Sequence, residues 1–291
     1  MRILITGGSG LLGQYLNSEL NKQNTILTLY HNNRGNTALF PNRQLDLTDI
    51  KALTSLFKEF KPQIVIHLAC YSNPQICRIT DKKLVLENNV GVSEHIAKLC
   101  SDSNSKLIFT STDLVYKDSP ELKNEESLTE PLSLYAETKL MAEEKIRANC
   151  KDHIILRTSL LYGIALNHTS NHFTEMISAL KENNVVNLFS DQFRTPLSLK
   201  NAAGMINEIV HSDINGEILN FGGNEKLSRY ELGLKTAEVL EKNSNLVRGV
   251  RFKDVSNDTE APLDVGMDIG KLCGFGIVPK RVDETLSEML N

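Results

Sequence analysis

Tyr135 and Lys139 stand four residues apart in Pro131-Leu-Ser-Leu-Tyr-Ala-Glu-Thr-Lys-Leu-Met-Ala-Glu143, a spacing that puts a phenol and an ammonium on one face of a helix. A phenol in water titrates at roughly pH 10. An ammonium beside it favours the phenolate and moves the group toward use as a proton donor or acceptor near neutrality. Alone the pair is a weak signal, since Tyr-x-x-x-Lys falls on many amphipathic helices by chance. Its weight comes from two other stretches. Ser111-Thr112-Asp113 closes the apolar run Lys106–Ser111 with hydroxyl groups, and a glycine-rich turn opens the chain.

That opening runs Met1-Arg-Ile-Leu-Ile-Thr-Gly-Gly-Ser-Gly-Leu-Leu-Gly13. Arg2–Thr6 has the apolar, β-branched character of a strand buried on both faces. Gly7, Gly10 and Gly13 follow at intervals of three, and Leu11, Leu12, Tyr15, Leu16 and Leu20 then recur at helical spacing. Strand, glycine turn and helix in that order form a dinucleotide-binding fingerprint. The turn is tight, a pyrophosphate can approach the main chain, and its charge meets free N–H groups at the helix start. Gly7, Ser9, Gly10, Leu11, Leu12 and Gly13 are therefore candidate cofactor contacts.

The elements that must position these groups alternate along the chain. Thr25–Tyr30 reads as a second strand. An NAD-binding fold of this kind closes that strand with an acidic residue, whereas this chain has Tyr30, His31, Asn32, Asn33 and Arg34. Arg34 would welcome a 2′-phosphate, so the reading favours NADP, with NAD as the alternative. Asp46 ends a short third segment, and Asp49 is a plausible cap for a helix over Ile50–Phe60. Ile64–Leu68 is another buried strand leading into Ala69-Cys70-Tyr71, and Leu84–Cys100 is amphipathic and contains Asn88-Asn89. Such alternation predicts an α/β fold with a doubly wound parallel sheet. Ligands should lie at the carboxyl ends of its strands, where Thr6–Gly13, Ala69, Ser111 and Thr112 fall.

Beyond Gly163 the alternation fades. Phe173–Leu180 reads as a helix, Ile218–Asn220 as a strand, and Ser228 as the cap of a helix reaching Val239. Lys242–Asn257 is polar and reads as a flexible edge. The expected division is a nucleotide lobe over 1–163 and a smaller α/β substrate lobe over 164–291, with some segments returning to the sheet.

The 291 residues suit one large α/β unit or two unequal lobes. A net charge of −4 gives no general pull toward nucleic acid or an anionic membrane. No apolar run is long enough to span a bilayer, and a first strand beginning at residue 2 leaves no room for a leader. The five cysteines are scattered without a Cys-x-x-Cys pair, and the seven histidines show no metal-binding spacing. The expectation is a cytoplasmic protein with reduced thiols and no metal. A homodimer is left open.

Taken together these motifs resemble the extended short-chain dehydrogenase/reductase family, nearest its dTDP-4-dehydrorhamnose reductase-like group, over nearly the whole chain. Thr6–Gly13 is similar to the family's nucleotide loop. Asp46-Leu47 resembles the adenine-contacting pair, His67–Tyr71 the segment lining the cofactor, and Leu156–Gly163 the strand leading out of the nucleotide lobe. Asn88-Asn89-Val90 resembles the asparagine-bearing helix, with Asn89 at the structural and proton-relay position. Ser111–Tyr116 resembles the Ser-Thr-Asp stretch, which implies a catalytic set of Thr112, Tyr135 and Lys139. The resemblance implies cofactor contacts at His31, Arg34, Asp46, Leu47, Ala69, Cys70, Tyr71, Asn89 and Ser111 as well as the glycine loop, Tyr135 and Lys139.

The expected activity is reduction of a carbonyl, most plausibly the 4-keto group of a nucleotide-linked sugar, by an NADP-preferring enzyme. Three departures bear on the substrate. Asp191-Gln-Phe-Arg-Thr-Pro196 carries Arg194 where the group has glycine. Ala261-Pro262 stands where it has Arg-Pro. Leu160 replaces a tryptophan, and the chain has none. Two rivals stay open: a sugar-nucleotide epimerase or dehydratase of the same fold, and a non-catalytic NADP-binding regulatory subunit like the reductase-like partner of methionine adenosyltransferase. Dehydratases resembling this chain carry Asp-Glu after the threonine; here Asp113 is followed by Leu114, which counts against dehydration.

Overall fold

The computed structural model describes residues 1–291. Its centre is a seven-stranded sheet of β1 (Arg2–Thr6), β2 (Thr25–Tyr30), β3 (Asn42–Gln44), β4 (Ile64–His67), β5 (Lys106–Thr112), β6 (His153–Thr158) and β7 (Glu217–Phe221). The spatial order is β7-β6-β5-β4-β1-β2-β3, and every pairing is parallel. Alternate side chains of a strand face opposite ways, so β1 feeds two cores. Ile3 and Ile5 pack with Leu12, Leu16 and Leu20 of the helix Leu11–Leu20 and with Ile206 and Ile209 of the helix Leu199–Val210. Leu4 packs on the other side with Leu53, Leu56 and Phe57 of Ile50–Phe60 and with Ile96 of Val92–Ser103. The expected doubly wound sheet is thus present, and the strand order reverses between β1 and β4, where a crevice opens at the carboxyl ends.

Local chemistry sets the helix boundaries. Asp49 accepts from the Ala52 amide at 3.0 Å and starts the helix Ile50–Phe60, which ends on Lys61 in the left-handed region, φ +50°. Two segments differ from expectation. Leu84–Cys100 is not one helix: Lys82–Leu86 leads into a π-helical turn, Glu87–Gly91, before Val92–Ser103. Lys242–Asn257 is not a flexible edge. It contains the strand Val247–Val250, paired in parallel with Val186–Phe189, and the short helix Phe252–Val255. Backbone pairing orders that segment where its polar composition gives little signal.

After Gly163 the chain builds a second core from Phe173, Met176, Ile177, Leu180, Leu232, Val282 and Leu286. It also returns to the first layer. The helix Leu199–Val210 lies against Leu11–Leu20, and β7 pairs with β6 in the register Ile218↔Ile155. No helix is long and apolar enough to cross a membrane.

Candidate active site

A cleft of about 1370 Å³ runs along the carboxyl ends of the strands, from the glycine turn to Ala261 and Pro262. Its first half is built on close backbone approach. Gly7 has φ +68°, and a Cβ there would meet the Ala69 amide nitrogen at 2.8 Å; a Cβ on Gly13 would lie 2.3 Å from the Gly7 carbonyl oxygen. The helix Leu11–Leu20 begins at Gly10 with no side-chain cap, and the amides of Leu11, Leu12 and Gly13 have no acceptor in the protein. Bare amides at the positive end of a helix suit a pyrophosphate. Gly7, Ser9, Gly10, Leu11, Leu12, Gly13, Ala69, Cys70, Tyr71 and Ser111 all line this cleft, as do His31, Asp46 and Leu47 at the far ends of β2 and β3.

Asp46 has one oxygen in use: Oδ1 accepts from the Thr48 amide at 2.9 Å and from its hydroxyl at 2.7 Å. These bonds, and then the nearby His31, hold its carboxyl below the usual range. Oδ2 lies 3.9 Å from His31 Nε2. Two expected contacts do not line the cleft. Arg34 is exposed, with its guanidinium over the ring of Tyr30 at 5.6 Å and one N–H on Asn42 Oδ1 at 3.3 Å. It stands one residue behind the wall, on Tyr30, which does line it. Asn89 is buried behind Tyr71: its Oδ1 accepts from the Tyr71 amide at 2.8 Å and its Nδ2 donates to Thr138 Oγ1 at 3.0 Å. The π-helical turn aims this amide across the gap, so Asn89 fixes the wall instead of forming it.

Thr112, Tyr135 and Lys139 meet on the cleft wall between the two lobes. The helix Leu134–Asn149 starts on Ser133, which accepts from the Ala136 amide at 3.3 Å and brings Tyr135 to the first turn. Lys139 is buried one turn on; its Nζ donates to the Thr110 carbonyl at 2.7 Å and lies 4.5 Å from the centre of the Phe109 ring. One N–H of three is thereby used, and the residue lines the cleft. The sequence predicts that this ammonium lowers the Tyr135 pKa. The structure reverses the sign. Burial pushes the phenol well above its usual value, Cys70 and Asp113 add to the rise, and a hydrogen bond with Thr112 opposes it. The ammonium is directed at the sheet carbonyl instead of at the phenol.

Asp113 sits beside this set, and burial raises its pKa against the pull of Arg194, 3.6 Å away. Arg194 is itself buried, donating to the carbonyls of Pro262 at 2.9 Å and Leu263 at 3.1 Å. These bonds set a cation beside Ala261-Pro262. Phe189 and Phe252 meet edge to face at 4.9 Å and both line the cleft. Gln192 and Arg229 complete this half. Sequence reasoning missed Phe189, Gln192, Arg229 and Phe252. For Arg229 a signal existed, a cation at the first position of a helix, where the dipole disfavours it.

The profile of the RmlD substrate binding domain matches residues 1–291. The methionine adenosyltransferase 2 subunit beta of Xenopus laevis is 29% identical over 282 residues, covering 95% of this chain and 83% of the relative. A probable low-salt glycan biosynthesis reductase of Haloferax volcanii is 26% identical over 279 residues, covering 94% and 92%. The crystal structure of dTDP-4-dehydrorhamnose reductase from Bacillus anthracis in complex with NADP has the same fold, with a TM-score of 0.84 at 24% identity over 99% of this chain and 98% of that one. With the profile running its full length over a doubly wound sheet and its cleft, the chain belongs to the RmlD substrate-binding-domain family.

Proposed function

We propose that the protein is an NADP-preferring oxidoreductase that reduces a carbonyl, the 4-keto group of a nucleotide-linked sugar being the substrate class best supported. The observation that carries this reading is the convergence of Thr112, Tyr135 and Lys139 on one wall of a cleft whose other end is a bare helix start. NADPH supplies the hydride. The glycine turn and the free amides of Leu11–Gly13 would hold its pyrophosphate, and the unspent N–H groups of Lys139 would hold the nicotinamide ribose. Burial keeps the proton on Tyr135, the state a general acid needs in the reductive direction. Tyr135 then protonates the developing alkoxide while the Thr112 hydroxyl hydrogen-bonds the same oxygen. Relatives named as reductases support this chemistry.

The functional division follows the cleft: residues 1–163 bind the cofactor, and 164–291 shape the second ligand's site apart from the segments that return to the sheet. A cytoplasmic setting belongs to the same reading, supported by five unpaired cysteines.

The test is a panel of nucleotide-linked keto sugars followed by NADPH absorbance, with wild type and Tyr135→Phe compared at saturating NADPH. Turnover should fall by about 10² or more in the variant, with fold and NADPH affinity retained. Wild-type turnover by Tyr135→Phe refutes the mechanism. A second reading, a non-catalytic NADP-binding subunit of a larger enzyme, is favoured by the likeness to a methionine adenosyltransferase beta subunit and by the altered substrate half at Leu160, Arg194 and Ala261. On that reading no carbonyl compound consumes NADPH above background.

A further inference from the structure

Arg229 lines the cleft with most of its hydrogen-bonding capacity unspent. Its Nε donates to Gln192 Oε1 at 2.7 Å, its sole hydrogen bond. It enters none of the chain's ion pairs, whereas Arg194 beside it is paired with Asp113. Gln192 is buried and turns its Nε2 to the Pro262 carbonyl at 3.4 Å, so its oxygen grips the guanidinium by Nε alone. Both terminal nitrogens of the fork stay free, and the side chain lines the cleft. The position is electrostatically poor. Arg229 is the first residue of the helix Arg229–Val239, whose positive end repels a cation. Burial and the like charge of Arg194 pull its pKa down to about 10 against the opposing attraction of Asp113, which leaves it charged at neutral pH. A partly buried charge at a helix start, with its fork open to the cleft, is the kind of local conflict that a ligand resolves.

We propose that Arg229 is the phosphate-binding residue of the substrate half of the cleft, its two free terminal nitrogens taking oxygens of the diphosphate in a nucleotide-linked substrate. A planar fork matches two oxygens of one phosphate, which a lysine cannot do. The assignment rests on the nucleotide-linked reading of the substrate. Phe189 and Phe252, on the same stretch of wall, give the base an aromatic surface.

Calorimetric titration of dTDP and of thymidine into NADP-saturated protein tests the assignment with the cofactor's half already filled. Arg229→Gln should weaken dTDP by about tenfold or more, leave thymidine and NADP binding unchanged, and melt no lower than wild type, since a cation is gone from the positive end of a helix. Arg229→Lys keeps the charge without the fork and should recover only part of the affinity; it also serves if the glutamine variant fails to fold. Wild-type dTDP affinity in either foldable variant overturns the proposal. So does a wild-type protein that binds thymidine and dTDP equally, which leaves carbonyl reduction standing. Wild-type protein that takes up neither overturns the nucleotide-linked substrate class along with it.

Discussion

His67 closes β4 with an imidazole that no solvent reaches. Its Nδ1 is hydrogen-bonded to Thr6 Oγ1 at 2.7 Å, and its Nε2 to Ser93 Oγ at 3.0 Å, the serine hydroxyl itself donating to the Asn89 carbonyl. Burial, and then the Lys139 ammonium, lower its pKa from 6.5 to about 3. Between those values the unfolded chain binds a proton that the folded chain refuses. Stability from this group is therefore complete above pH 6.5 and is lost as the pH falls toward 3, at a slope of at most about 1.4 kcal/mol per pH unit. Denaturant unfolding from pH 7 to pH 4 should show that slope in wild type and a shallower one in His67→Gln; parallel curves would remove His67 as its source. Arg34 invites a second residue-scale test. It rests on Tyr30 in a strand end without acids, from which its guanidinium can swing to a 2′-phosphate. Arg34→Ala should weaken NADPH about tenfold and leave NADH nearly unchanged in calorimetry, and equal losses would sink the preference for NADP.

At the scale of elements, the helix Leu134–Asn149 presents Tyr135 and Lys139 to the cleft and the π-helical turn Glu87–Gly91 braces it. Asn89 joins the Tyr71 backbone to Thr138 on that helix. Asn89→Ala would leave the half-buried Tyr71 amide without its acceptor, and its carbonyl with the Cys77 thiol alone, at about 1–3 kcal/mol, so the melting temperature should drop and NADPH affinity with it. A variant with unchanged melting would show the brace to be dispensable. What the sequence made legible follows the same physics. Arg2–Thr6, the glycine turn and Leu11–Leu20 were readable because apolar period and glycine spacing agree there. Asp49 announced its helix because an N-cap is a local bond. The π turn was hidden, since one extra residue in a turn barely disturbs an amphipathic pattern. The strand Val247–Val250 was hidden because its pairing with Val186–Phe189 is long-range and its own residues include Arg248 and Gly249. The Tyr135 proton was misjudged because spacing puts Lys139 on the right face without telling where its ammonium points.

For the molecule as a whole, a buried polar chain ties the returning strand to the cleft wall. Ser111 on β5 donates to Glu143, which receives Arg157 of β6 through Nη2 at 2.8 Å and Nε at 3.2 Å. Arg157 Nη1 donates to the Tyr116 hydroxyl at 3.0 Å, and Tyr116 donates to Asn220 of β7 at 2.6 Å. The pair is 5% and 2% exposed, so its strength lies in completeness instead of in Coulomb attraction alone. Taking two charges from water costs nearly what their contact returns, whereas stranding one of them is expensive. Arg157→Met should thus cost about 3–5 kcal/mol in denaturant unfolding. Adding Glu143→Met should recover much of that loss, because the stranded carboxylate is removed and only uncharged groups, chiefly the Ser111 hydroxyl and the Glu125 carbonyl, are left short of a partner. Since Ser111 lines the cleft, the single variant should also weaken NADPH, and the double variant should do so less. Strictly additive losses in the two substitutions would mean that the network is not a unit. The returning strand would then be held to the nucleotide lobe by its β6 ladder and apolar core alone.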